Sequence, residues 1–159
     1  MLQYQQKNYH DALKYMALTS STLARLDPKE TIAQRSTALN NIGRLNTLIG
    51  NYEEAQKSFY DAMVLFEEQG KQLAIARLER NIADNYLKMG FPDKALETAN
   101  EAYSKGLKQK DYKLLKEITE VIMNIYVKLG DYKKAFQYQS KYIKYKDTLF
   151  SENQSKQLA

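Results

Sequence analysis

The side chains able to do chemistry in this chain are few, and their spacing argues against a catalytic centre. The single histidine, His10, sits in Tyr9-His10-Asp11 with no second imidazole and no cysteine anywhere. One nitrogen ligand does not hold a metal, and a general base needs an oriented partner. Ser20-Ser21 lacks the glycine-flanked turn that presents a nucleophilic serine. Glu53-Glu54 and Glu67-Glu68 are adjacent carboxylates, but neighbours on a helix diverge by about 100°, so neither pair converges on a substrate. No glycine-rich phosphate loop of the GxxxxGK[ST] or GxGxxG type occurs. The chain therefore reads as a non-enzyme with no catalytic residues, no cofactor and no metal. A phosphatase-type or other hydrolytic fragment is the enzymatic alternative, and it lacks the cluster of acid, base and nucleophile it would need.

Binding chemistry is better represented. The net charge is +5 over 159 residues, and residues 101–150 hold eleven lysines against six acids, which accounts for the whole excess. A lysine-biased end suits an acidic partner. It also suits a plain solvated helix surface, and the lack of arginine or a base-stacking motif there argues against nucleic acid. The longest apolar run, Ala62–Phe66, is far short of the ~20 residues that span a membrane. The start, "MLQYQQKNYHDA", lacks the basic-then-apolar layout of a signal peptide. Both a cytoplasmic and a periplasmic setting stay open.

The elements that position these side chains announce themselves through repetition. "GNYEEA" at Gly50–Ala55, "GFPDKA" at Gly90–Ala95 and "GDYKKA" at Gly130–Ala135 stand 40 residues apart, and a partial copy, "KNYHDA", covers Lys7–Ala12. Upstream of each glycine lie Gly43, Ala83 and Met123, and then Asn46, Tyr86 and Tyr126. Apolar residues between these marks recur at three-, four- and seven-residue steps, the stripe of an amphipathic helix. In the first pair the stripes are Ile32, Leu39, Ile42, Leu45 and Ile49, then Tyr52, Ala55, Phe59, Ala62, Met63 and Phe66. The last pair uses Leu115, Ile118, Ile122, Ile125 and Leu129, then Tyr132, Ala135, Gln139, Tyr142 and Ile143. Gly50 and Gly130 suit left-handed helix ends, with Asn51 and Asp131 as the caps that follow. Pro92 suits a first helical position, and Asp27-Pro28-Lys29-Glu30 a capping-box-like start. Helices are predicted over about 8–26, 29–49, 52–69, 71–89, 92–109, 111–129 and 132–150.

Paired helices with a small residue on the first (Gly43, Ala83) and an alanine on the second (Ala55, Ala95, Ala135) resemble the tetratricopeptide repeat. The departures are Leu39, Glu79 and Thr119 where the family places an aromatic, no final proline, and a period of 40 in place of the commoner ~34. The resemblance implies an all-α fold, a right-handed superhelix of about three and a half stacked antiparallel helix pairs over residues 1–150. Residues 151–159 form a polar tail that could open a linker or coiled coil. "YIKYKDTLFSENQSKQLA" at Tyr142–Ala159 further resembles the segment closing the repeat region of certain bacterial sensor kinases and transcriptional regulators.

The resemblance also implies where a partner binds, because in this family the first helix of each pair lines a concave groove. Carried over, the groove positions are Thr37, Asn40, Asn41 and Arg44, then Arg77, Arg80, Asn81 and Asp84, then Glu117, Glu120 and Asn124. Asparagines can satisfy a peptide backbone and arginine forks a carboxylate. The expectation is an extended peptide, acidic or carboxylate-bearing, held by Arg44, Arg77 and Arg80. Against it stands the reading in which these arginines pair with Asp84 or Glu79 and merely solubilise the surface. Glu117 and Glu120 would repel an acidic ligand at one end. Self-association through the exposed ends of the array is the remaining alternative, since no later repeat covers Tyr142, Ile143, Leu149 and Phe150.

Overall fold

The computed structural model of the chain describes residues 2–23, 25 and 28–157. Seven α-helices make up its regular structure there: α1 (Leu2–Leu23), α2 (Pro28–Ile49), α3 (Tyr52–Glu68), α4 (Gln72–Lys88), α5 (Pro92–Gln109), α6 (Tyr112–Leu129) and α7 (Tyr132–Gln157). Helices α2 to α6 coincide to a residue with the stretches predicted from periodicity. The architecture is an all-α helical repeat. Two ends differ. Helix α1 begins earlier, so His10 lies inside a helix and is exposed. Helix α7 runs on through the polar segment to Gln157.

The helix ends follow from local chemistry. Gly130 adopts φ 78, and its N–H and that of Asp131 turn back to the carbonyls of Val127 and Tyr126. That left-handed geometry excludes a Cβ at little cost only for glycine. Asp131 then caps α7 by accepting the Lys134 N–H at 3.0 Å, and Asp111 caps α6 by accepting the Leu114 N–H at 2.9 Å. The Asp131 carboxyl is held below its ordinary pKa chiefly by the Lys134 backbone N–H, and by the Lys134 ammonium at 3.1 Å. Asn51 departs from expectation, because its side chain makes no cap and lies 3.5 Å from the Asn46 amide oxygen. Lys110 takes a left-handed φ of 52 at the end of α5, 40 residues after Gly70 at φ 64. The Asp27–Glu30 box rests on Asp27, which lies outside the described residues, together with the side chains that follow it.

The chain forms two compact units, 1–81 and 82–159. In the first, α2 packs on α1 and α3. Ala55, Phe59, Ala62 and Phe66 supply the buried stripe of α3, and the small residue at Gly43 has a specific cause. A Cβ built there would stand 2.5 Å from two carbons of the Phe59 ring. Glycine thus lets α2 seat directly on that ring. Gln69 reaches across from the end of α3 to the Ser36 hydroxyl at 3.3 Å.

In the second unit α6 packs on α5 and α7. The buried face of α5 is Ala95, Ala99, Ala102 and Gly106, that of α6 Leu114, Leu115, Ile118, Thr119, Val121, Ile122 and Ile125. Large residues on α6 thus meet a face of α5 built from small ones, which brings the two axes close. Gly106 extends that logic: a Cβ on it would meet Leu115 at 3.1 Å. Thr119, where the family places an aromatic, is fully buried and turns its hydroxyl to the carbonyls of Leu115 and Lys116.

Helix α7 keeps its expected stripe only at Ala135 and Tyr142. Of its residues only Ala135 is buried. Tyr138, Lys141, Tyr142 and Tyr145 form the half-buried face, whereas Gln139 is exposed, Tyr132 is 71% exposed and Ile143 is 50% exposed. The stripe read from sequence took tyrosine and isoleucine as equivalent core residues. The structure turns these tyrosines inward, where Tyr145 shares a hydroxyl hydrogen bond with Tyr103 and Tyr138 packs on the Tyr103 and Tyr126 rings, and leaves the isoleucine outside.

Candidate functional site

Two surfaces carry side chains that could meet a partner, one in each unit. The first lies on α2 and α4 within residues 1–81. Asn81 donates from its amide nitrogen to the Asn40 amide oxygen at 2.8 Å, which ties the two helices together. Asn81 is 6% exposed and Asn40 half-buried, so this pair forms the floor of a polar patch. Arg44 follows Asn40 by one turn on α2, and Arg77 precedes Asn81 by one turn on α4; both arginines are exposed. Asn41 and Arg80 are half-buried beside them. Spacings of four residues place each arginine on the same helix face as its asparagine. Helix α2 and the first part of α4 thus bring together six of the positions carried over by resemblance.

The remaining carried-over positions do different things. Asp84 forms an ion pair with Lys88 at 2.9 Å, a turn further along the same helix. Asn124 and Glu120 are exposed on α6, and Glu117 is half-buried. Thr37 is exposed, with its hydroxyl turned back to the Ala33 carbonyl at 2.8 Å. Arg77, Arg80, Glu79 and Glu117 all take part in polar or electrostatic contacts within the fold. Arg44 and Arg77 are exposed and Arg80 is half-buried.

The second surface belongs to residues 82–159 and was not legible beforehand. Tyr103 on α5 and Tyr145 on α7 share a hydrogen bond between hydroxyls at 2.9 Å. Tyr138 meets Tyr103 edge-on at 6.2 Å between ring centres and Tyr126 at 5.6 Å, while Tyr112 stands 6.1 Å from Tyr145. The Lys141 ammonium lies 4.3 Å from the Tyr138 ring centre and 5.2 Å from that of Tyr103. Burial pushes the pKa of both Tyr103 and Tyr138 up, aided at Tyr103 by the hydrogen bond to Tyr145. Tyr103 and Tyr138 thus keep their protons near neutrality, and the cluster is a joint between helices with polar tips. A related contact repeats with the period: Lys94 lies 5.9 Å from the Tyr86 ring centre, and Lys134 lies 5.2 Å from that of Tyr126. Such contacts are worth about 0.5–1 kcal/mol at exposed sites. Only the repeat offset in sequence could have hinted at them.

Among the described residues, no group of three His, Asp or Glu could hold a metal ion. No described helix is long and apolar enough to cross a membrane.

Antiparallel helix pairs joined through small residues, with polar groups presented from successive helices, define a helical-repeat protein. Residues 34–105 match the family model of the tetratricopeptide repeat, a stretch running from within α2 to within α5. This match supports the repeat reading, and such repeats generally mediate contacts between proteins and are typically non-catalytic. No curated protein matches the chain.

Proposed function

We propose that this chain is the partner-binding region of a bacterial signalling or regulatory protein, and that its polar patch on α2 and α4 holds an extended, acidic peptide segment. The observation that carries the reading is the Asn81–Asn40 hydrogen bond with exposed Arg44 and Arg77 one turn to either side. A floor of amides can bond to the peptide groups of an extended chain, and guanidinium forks can take its carboxylates in pairs. Asn41 and Arg80 add donors at the edge. Asp84, committed to Lys88, and Asn124 belong to the other unit and are left out of the patch.

The test uses fluorescently labelled extended peptides rich in Asp and Glu, with a free C-terminal carboxylate or an amide. Binding of the acidic peptide should weaken at least tenfold when Arg44 and Arg77 are both changed to Glu, while circular dichroism stays the same. Unchanged affinity would remove the patch from the function. Self-association is the second reading; sedimentation at rising concentration distinguishes the two.

A further inference from the structure

The outer face of α7 carries an arrangement that the polar patch does not account for. Phe136, Ile143 and Phe150 are 69%, 50% and 64% exposed, and they follow one another at steps of seven residues. Tyr132, 71% exposed, precedes Phe136 by one turn. At 100° per residue these four side chains fall within about 40° of the helix circumference, spaced along it by about 10.5 Å for each seven-residue step. Apolar side chains in such a row are rare on a protein surface without a partner.

The row has a charged frame. Lys133 and Lys144 project on one side of it and Lys146 on the other, and all three are exposed. Asp147 is the one acid inside the row, between Ile143 and Phe150. Helix α7 as a whole holds six lysines against one aspartate and one glutamate. The other lysines nearby are occupied, Lys134 with Asp131 and Lys141 over the Tyr138 ring.

The helix also outruns its support. Helix α6 has 18 residues and α7 has 26, so α7 is longer by about 12 Å. Tyr112, the first residue of α6, pairs with Tyr145, and residues 151–157 are all exposed. The row from Tyr132 to Phe150 therefore runs along the supported part of a rigid rod and onto its projecting part.

We infer that the outer face of α7 docks an amphipathic, acidic helix from a partner protein. A seven-residue repeat matches the holes of another helix, whereas an extended strand presents one face every ~6.8 Å and falls out of step with it. Flanking lysines match glutamates at the edges of the incoming helix, as at the charged flanks of a coiled coil. A second copy of this chain fits less well, because it would bring two helices of the same positive sign together. The surface lies on α7, whereas the Asn–Arg patch lies on α2 and α4.

The test uses the full chain and two synthetic helices of three heptads, ~21 residues each. Both carry leucine at the first and fourth positions, one with glutamate and the other with lysine at the flanks. The glutamate helix should bind at least tenfold more tightly than the lysine helix. Its affinity should fall as salt rises from ~0.1 to ~1 M, because the screening length shrinks from about 10 to about 3 Å. Phe136→Ala with Phe150→Ala should weaken it at least tenfold, and so should Lys144→Glu with Lys146→Glu. Asp147→Asn should strengthen it, and Arg44→Glu with Arg77→Glu should leave it unchanged. Each replaced residue is exposed, and circular dichroism checks that the helices persist. The inference is overturned if neither helix binds below ~100 μM, if both bind equally, or if the phenylalanine variants keep full affinity. It is also overturned if the chain sediments as a dimer that those variants dissociate, since a second copy then occupies the face.

Discussion

Replacing Gly43 with alanine probes the seam between α2 and α3 most directly, because two physical effects pull in opposite directions there. On an open helix the change stabilises, alanine being the better helix former by about 1 kcal/mol. In this fold the new Cβ would stand 2.5 Å from Cδ1 and Cε1 of Phe59 and 2.9 Å from Cζ. Nonbonded carbons prefer ~3.5–4.0 Å, so the ring or the helix must yield by about 1 Å. The Phe59 ring is 0% exposed and has no open side to move into. Overpacking of this kind costs about 1–3 kcal/mol, and subtracting the propensity gain leaves a net loss of about 0–2 kcal/mol, centred near 1. In urea a loss of about 1 kcal/mol lowers the midpoint by roughly 0.3–1 M at unchanged slope. Phe59→Leu makes room, so the double variant should cost less than the sum of the single ones, with a coupling of about 0.5–3 kcal/mol. A midpoint raised by Gly43→Ala, or strict additivity with Phe59→Leu, would show that the glycine is not there for close approach.

Further outcomes follow from the same geometry. Lys110→Gly should raise the urea midpoint, because a left-handed non-glycine residue carries roughly 1–2 kcal/mol of strain that glycine lacks; a lowered midpoint would mean that the lysine side chain supports the turn. Ala95→Leu should destabilise by about 1–3 kcal/mol through overpacking at a fully buried site, and an unchanged melting temperature would place Ala95 outside the contact. Tyr103 and Tyr138 have raised native pKa values, chiefly from burial. Below the unfolded value of about 10 both states keep these protons and the contribution is whole; above it the unfolded chain loses them first, so stability falls as pH climbs toward the native values. Urea midpoints taken upward from ~pH 9 should therefore drop, and less steeply in Tyr103→Phe. An identical pH dependence in that variant would show that the Tyr103 proton is not held by the fold.

Much of this architecture was readable from local signals. Gly50, Gly90 and Gly130 mark helix ends because left-handed backbone favours glycine, and each takes a positive φ. Ala55, Ala95 and Ala135 were expected at helix contacts and are buried. The carried-over site was legible in part. The α2 and α4 positions converge, since Asn40 and Asn81 touch across 41 residues of sequence. Asp84 instead serves a salt bridge within its own helix. Nothing local distinguishes those two outcomes, because an exposed polar residue on a helix has equivalent partners along the helix and across it.

By itself, the sequence of this protein determined the number of helices, the ends of α2 to α6, the 40-residue period and the small residues at the seams. Those features depend on backbone conformation and helical periodicity, which are set within a few turns of chain. Tertiary structure alone decided which way α7 faces, that Asn40 meets Asn81, and that Gly106 lies against Leu115. The α7 phase shows the reason. Its pattern of Tyr, Ile, Phe and Lys offers two apolar stripes of similar strength, and only the rings of Tyr103, Tyr112 and Tyr126 on neighbouring helices select the one that turns inward. That selection leaves Phe136, Ile143 and Phe150 facing outward.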